Sequence, residues 1–374
     1  MMTRVGHSGG PDVIERTRAY ERWLAEHIPV VTADFDTKHR DMAGSPMRYL
    51  RGSYYLWLEC ICTHPHLQRA PQVPVVGDLH IENFGTWRDQ SDVRRWGVND
   101  LDEVARGSYA VDLVRLAVSA VLAPHVALSG HDVVDILLTE WSAAEGGTAL
   151  DLDDDSAHHL RQLVPDRPHK QYFERLATLP VIDPDDAGIP VAVQKAVAVT
   201  TSDGWHPTWH RRTVGTGSLG HPRYGAFGLD DAAIAQAREV KLLGPATRLW
   251  VEDVTAGAAH PVPTPDPALF DLVTAAVAGP HPYERHDGWQ VRRLSPDDVR
   301  IELTGLAAKD STRLLRSMAR ATATVHAVDP GGLAESQHDA NTVGTGWFTD
   351  AVQEMIEVTK AGFAAFVDEF GHDH

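Results

Sequence analysis

The stretch Val75-Val76-Gly77-Asp78-Leu79-His80-Ile81-Glu82-Asn83-Phe84-Gly85 constrains the fold more than any other part of the chain. Two β-branched apolar residues run directly into Gly77-Asp78, so a buried strand or turn ends there and leaves Asp78 facing a cleft. A second acidic cluster, Val98-Asn99-Asp100-Leu101-Asp102-Glu103, follows in an apolar frame of its own. With 374 residues, the chain exceeds the usual size of one hydrophobic core, which predicts two lobes or two domains.

Asp78 and Asn83 are five residues apart, a spacing used in phosphoryl transfer, where the Asp accepts a hydroxyl proton and the Asn ligates magnesium. Asp100 supplies the second carboxylate for the metal that bridges the phosphates. Three oxygen-bearing side chains then converge on one hard cation, which suits magnesium, since it keeps waters and phosphates as its remaining ligands. The plainer reading is that these polar residues cap helices and turns. His80 reads most simply as a hydrogen-bonding residue that steadies the loop; a metal-dependent hydrolase using Asp78, His80 and Asp100 is the alternative.

The balance of 34 basic against 52 acidic residues gives a formal charge of -18, which opposes binding to nucleic acid or anionic membrane. It would draw in a cationic small substrate, with Glu103, Asp151 and Asp155 as candidate partners, or it serves solubility alone. Hydrophobic residues at 43% and charged ones at 23% argue against a disordered or fibrous chain. No apolar run near ~18 residues and no charged-then-apolar leader is present, so a cytoplasmic location with no membrane partner is expected. The only cysteines, Cys60 and Cys62, sit too close for an ordinary disulfide. The run from Cys60 to His66 matches no common zinc spacing, and a buried helix end explains it as well.

Periodicity predicts helices over 11–27, 53–62, 113–122, 130–141, 267–278, 311–328 and 350–370. Residues 85–98 read as a hairpin with a site residue at each end. Asp112, at the head of an apolar helix, is expected to hold the preceding loop through backbone donors. Arg51 is placed either to reach a phosphate or to pair with a neighbouring carboxylate. Prolines and charges dominate 165–190, which marks a lobe boundary. Beyond it, the apolar β-branched run 191–200 reads as a strand, followed by the glycine-rich turn Gly215-Thr216-Gly217-Ser218-Leu219-Gly220 and a second strand. Pro222 and the Tyr/Phe-bearing segment after the glycines oppose a dinucleotide-binding helix, so the turn reads as a hairpin whose backbone donors lie against phosphates. Lys241 reaches those phosphates if 237–243 is a strand and is a surface lysine if 230–243 is one helix.

Met42-x-x-Ser45-Pro46 with Arg51-Gly52, the Asp78 and Asp100 segments, Asp112-Leu113-x-Arg115-Leu116-Ala117 and Val214-Gly215-x-Gly217-Ser218-x-Gly220 together resemble the bacterial domain of unknown function 2252 family. That family is grouped with the protein-kinase-like superfamily, and the catalytic words are similar to those of aminoglycoside phosphotransferases. The resemblance runs from about Lys38 to the C-terminal helices. It implies Asp78 as catalytic base, Asn83 and Asp100 as magnesium ligands, Gly215 to Gly220 as the phosphate hairpin and Lys241 as the phosphate-pairing lysine. His80, Asp102 and Asp112 support the site. The family's acid partner for the lysine, a Glu in the helix after its strand, is missing, and Asp271 is the nearest candidate.

The hairpin and lysine follow the catalytic loop here, whereas in kinases they precede it, which reads as a circular permutation. The expectation is therefore an α+β, protein-kinase-like two-lobe fold, circularly permuted, with a small β-rich lobe and a large helical lobe. Residues 1–165 and 295–374 would form the helical lobe, 166–190 a linker and 191–294 the nucleotide-binding lobe. The implied cofactors are ATP and Mg2+, and the implied reaction moves the γ-phosphoryl group to a hydroxyl, or less readily an amine, of a small-molecule substrate. A nucleotide-binding pseudokinase and a nucleotidyl transferase acting on protein are the rivals.

Overall fold

The computed structural model describes residues 11–371 except 90, 125, 165–167, 200–204, 214, 255–263, 266, 279–282, 287 and 302. It is a mixed structure of helices and small sheets in which helix predominates. The largest sheet has six strands in the order Tyr283–His286, Trp289–Arg293, Ala235–Leu242, Arg223–Leu229, Thr208–Arg211 and Val181–Ile182. Every neighbouring pair is antiparallel.

Side chains alternate across a strand, so each register pair places its two residues on the same face. Val240 lies opposite both Tyr224 and Val291, and this face joins the main apolar core. Lys241 lies opposite Arg223 and Gln290, while Glu239 lies opposite Gly225 and Arg292, and these polar rows form the other face. One sheet thus has an oily back and a charged front.

The apolar run 191–200, expected as a strand, is instead the helix Val191–Val199, with Thr200 outside the described residues. Val193, Ala196 and Val197 are buried, at the spacings of three and four that a single helical face requires. Packing beneath the sheet overrides the strand preference of β-branched residues. The strand that enters the glycine turn is Thr208–Arg211, and it pairs with Arg223–Leu229 as a hairpin. Of the two alternatives for Lys241, the strand forms, as Ala235–Leu242. The segment read as a linker contains the helix His169–Ala177 and contributes Val181–Ile182 to the sheet edge.

The helical part is built from both ends of the chain. Helices Tyr109–Leu122, Gly130–Ser142, Ala308–His326 and Thr345–Phe370 pack together, and Pro11–His27 lies against the last of them. Two three-stranded sheets sit on this part, one joining Gln72–Val75, Ala105–Ser108 and Thr264–Pro265, the other Phe84–Arg88, Arg94–Val98 and Leu150–Asp151. Strand Thr264–Pro265 and helix Pro267–Ala278 therefore serve the helical part and not the six-stranded sheet, the helix packing on Ala308–His326. Beyond the helix expected over 311–328, Pro330–Val343 is a further helix, begun by Pro330 and capped by Asp329. Among the described residues no helix is long and apolar enough to cross a membrane.

Candidate functional site

Helix Tyr109–Leu122 is buried almost all round, and its polar side chains Asp112, Arg115 and Ser119 fall at spacings of three and four, along one line. Each serves the loop ahead of it. Asp112 accepts from the backbone N–H of Val76 (2.7 Å) and Gly77 (2.9 Å), and Ser119 Oγ accepts from Ile81 N–H (3.0 Å). Behind Asp112, Trp141 donates to His326 Nδ1 (3.0 Å), which leaves the proton on Nε2 to donate to Asp112 (3.1 Å). Gly77 has φ of 88°, and a Cβ there would meet Glu103 O at 2.6 Å, so the turn that exposes Asp78 admits only glycine.

Between the two belts of this network, Arg115 contacts Asp78 Oδ1 through Nε (2.6 Å) and through its terminal nitrogen. The guanidinium is fully buried, lies over the rings of Tyr54 (4.7 Å) and Trp57 (5.0 Å), and donates to Leu50 O (2.9 Å). Burial pushes the Asp78 carboxyl up to about 6, against the pull of Arg115 and with the Asp100 charge adding to the rise. His80 is buried and held well below its ordinary value, by burial first and then by Arg51, Arg115 and Arg300. Its neutral Nδ1 accepts from Glu82 N–H (3.2 Å), the loop-steadying role read from the sequence.

The hairpin of Phe84–Arg88 with Arg94–Val98 carries a site residue at each end, because Phe84 pairs with Val98. Asn99 N–H donates to Asn83 O (2.8 Å), tying the second acidic cluster to the first loop. Asn83 Oδ1 accepts from His80 N–H (2.6 Å), which uses one of the two lone pairs of that oxygen. Asp100 is exposed and makes no hydrogen bond or ion pair among the described residues. Glu103 accepts from Thr247 Oγ1 (2.8 Å) and N–H (3.0 Å), yet burial pushes its carboxyl up to about 7.

These groups face the charged front of the six-stranded sheet across a cleft of about 220 Å³. Asp78, Asn83, Asp100 and Asp102 line it from one side, Lys241 from the other, and Gly215 and Gly217 close it at the glycine turn. Lys241 is buried and ion-paired with Asp102; burial lowers its pKa, with the Asp100 charge acting against that fall. Within the turn, Thr216 points away to Asp41, and Gly220, at φ of 99°, lies where a Cβ would strike Phe35 at 2.6 Å. The Ser218 side chain lies outside the described residues. Arg51 lines the cleft and pairs with Glu82 (2.8 Å).

Asp271 is not brought to the site. It is exposed on helix Pro267–Ala278, and the charge it acts on is Arg285. The acid at Lys241 is Asp102, reached through the fold and not through the next helix. Asp151 and Asp155 also lie outside the cleft, whereas Glu103 lines it. Cys60 and Cys62 are free thiols at the end of helix Tyr54–Ile61, and His66 contacts Asp339 (3.1 Å) and stacks by Trp347. Cys62 is buried there and Cys60 half-buried; among the described residues no group of three or more His, Cys, Asp or Glu is arranged to hold a metal ion.

Sequence reasoning passed over the sheet's own charge cluster. Glu239 is held by Arg212 (2.8 Å), Arg292 (3.2 Å) and Arg223 (3.6 Å), and these cations bring its carboxyl down to about 2 although burial acts the other way. The available signal was polar residues at alternate positions of otherwise apolar strands, as in Glu239-x-Lys241 and Gln290-x-Arg292. Lys38, Tyr20 and Thr247, also on the cleft wall, were missed because nothing in their local sequence marks them.

Residues 31–142 match the model of a family described as "Uncharacterized protein conserved in bacteria (DUF2252)". It contains Asp78, Asn83, Asp100, Asp102, Asp112 and Arg115, but not the glycine turn or Lys241. No curated protein and no solved structure matched the chain.

Proposed function

We propose that the cleft binds a nucleoside triphosphate, ATP by preference, and transfers its γ-phosphoryl group to a hydroxyl of a small molecule. In this reading the six-stranded sheet and the helical part act as the two lobes of a kinase-like fold in permuted order. The observation that carries it is the Lys241–Asp102 ion pair. It brings a sheet lysine and the acidic turn beside Asp78 into one cleft across more than a hundred residues of chain, the grouping of cation and carboxylates that phosphoryl transfer uses.

The donors fit magnesium. Asp100 and the amide oxygen of Asn83 are hard donors, Asp102 is taken by Lys241, and Asp100 stands in the cleft without a hydrogen bond or ion pair among the described residues. A hard cation that prefers few protein ligands and several phosphate oxygens needs no preformed cage. Asp100 and Asn83 would hold it, and when bound it would offset the charge of the phosphates.

Asp78 acts as the proton acceptor. With its carboxyl near 6 it is ionised at neutral pH and still basic enough to take the proton of an attacking hydroxyl. As that oxygen bonds to the γ-phosphorus, the bond from phosphorus to the bridging oxygen breaks and the nucleoside diphosphate leaves. Arg115 fixes the Asp78 carboxylate from beneath, so no reorientation is needed at the moment of transfer. Lys241 and the backbone of Gly215 and Gly217 meet the phosphate oxygens.

The test is calorimetric titration of MgATP into the parent protein and Asp100→Ala, and of ATP into the parent without magnesium. Binding that needs both magnesium and Asp100 is expected. No binding under any of these conditions removes the reading.

A further inference from the structure

Helix Ala33–Met42 turns one face inward, and the residues on that face are Phe35, Lys38 and Met42, at spacings of three and four. Met42 is fully buried, and Phe35 packs on Gly220. Lys38 takes a position that the pattern reserves for an apolar residue. It is 5% exposed, it lines the cleft, and among the described residues it has neither a hydrogen bond nor an ion pair.

Burying most of a lysine without a partner for its ammonium is costly, and a fold keeps one only where something else repays that cost. The carboxylates whose fields reach Lys38 are Glu21 and Asp78, and neither bonds to it. Glu21 is engaged with His39 Nε2 (2.6 Å) and Asp78 with Arg115. His221, on the same wall, is driven down to about 4 by burial and then by the Lys38 charge, so it stays neutral and offers no counter-charge. The site therefore holds a cation whose stem is buried and which faces the cleft beside Asp78, with no ion pair or hydrogen bond of its own among the described residues.

We propose that Lys38 is a second phosphate-binding residue of the cleft, taking an anionic phosphoryl oxygen from the helical wall as Lys241 does from the sheet wall. This deepens the phosphotransferase reading by assigning a contact on the Asp78 side, where the transferred group must lie. It also explains why the glycine turn is seated on the same helix through Phe35 and Asp41.

The experiment compares the parent with Lys38→Met, which keeps length and apolar bulk, and Lys38→Arg, which keeps charge. Affinities for MgATP, magnesium pyrophosphate and adenosine are measured by calorimetry, and melting temperatures are recorded for all three proteins. Lys38→Met should bind MgATP and pyrophosphate about tenfold more weakly or worse, the scale of one charged hydrogen bond, and bind adenosine as the parent does. Its melting temperature should equal or exceed that of the parent, because a buried unpaired charge has been removed. Lys38→Arg should keep most of the pyrophosphate affinity.

Equal pyrophosphate affinity in the parent and Lys38→Met overturns the inference, as does equal loss in the Met and Arg variants or a parent that binds no pyrophosphate. A parent that binds pyrophosphate through Lys38 but not MgATP removes the nucleotide reading and leaves this one standing. A parent that binds MgATP, with Lys38→Met unchanged, does the reverse.

Discussion

Asp78 and Glu239 are two carboxylates of one cleft, each gripped by arginine, and their acidities move in opposite directions. Burial raises both. At Asp78 it is opposed chiefly by the single guanidinium of Arg115, with Asp100 adding to the rise, and the carboxyl stands at about 6. At Glu239 it is opposed by Arg223, Arg212 and Arg292 together, and the carboxyl falls to about 2. One cation leaves a carboxylate that can still accept a proton near neutrality. Three make a permanent anion that braces neighbouring strands. On the phosphotransferase reading, the difference separates a group that takes up a proton from a group that holds the wall on which Lys241 stands.

The largest expected effect is on the reactive side. Asp78→Asn keeps the shape and a hydrogen-bond acceptor for Arg115 but removes the basic site. Nucleoside triphosphate turnover should fall about 10²- to 10⁴-fold with MgATP binding retained. Turnover at the parent rate, measured by release of diphosphate, would make Asp78 a structural partner of Arg115 like Glu239 among its arginines. On the bracing side, Glu239→Gln should lower stability by about 3–5 kcal/mol in denaturant unfolding, since it strands buried guanidinium groups. A loss below about 1 kcal/mol would mean that the arginines find other partners.

The same contrast sets opposite pH windows. Asp78 has a folded value above its ordinary 3.8, so the folded protein holds a proton that the unfolded chain releases. Its contribution to stability is most favourable at low pH and declines as pH rises from 3.8 through about 6. Glu239 has a folded value below its ordinary 4.5, so its contribution is complete above 4.5 and is lost as pH falls towards about 2. Melting temperature against pH should show a smaller first decline in Asp78→Asn, with the share from buried Glu103 and Asp298 remaining, and should lose the second in Glu239→Gln. Turnover in the parent should rise as pH climbs through about 6. A flat rate between pH 5 and 7 would uncouple Asp78 from the chemistry.

That Asp78 shares a cleft with His80, Asn83 and Asp100 was legible in the sequence because these residues are local. Asp78, His80 and Asn83 share one loop, Asp100 follows the hairpin from it, and Asp112 opens the next helix, so spacing along the chain approximates spacing in the fold. The bracing half was not. Glu239 meets its arginines only through the register of four strands, and a register is set by burial of the whole sheet. The run 191–200 misled for the reason that short apolar segments often do: period two and period 3.6 are hard to tell apart over ten residues without knowing what covers them. Lys38 escaped because a lysine between polar neighbours reads as a solvated one until its helix is seen to turn that face inward.

The smallest expected effect concerns the acid that sequence order alone brought forward. Asp271 is exposed on helix Pro267–Ala278 and acts on Arg285, whose guanidinium lies over the Phe270 ring at 4.5 Å. A solvent-facing carboxylate near one cation is worth little, because water screens the pair and two side chains must be ordered to make it. Asp271→Ala should therefore change stability by less than about 0.5 kcal/mol and leave MgATP affinity untouched. Asp102→Asn should weaken that affinity, since it strips Lys241 of the carboxylate that positions it. Parallel titrations decide between the two acids: equal losses would return Asp271 to the site and make the Lys241–Asp102 pair incidental, whereas a loss confined to Asp102 fixes the lysine's partner by contact across the fold and not by order along the chain.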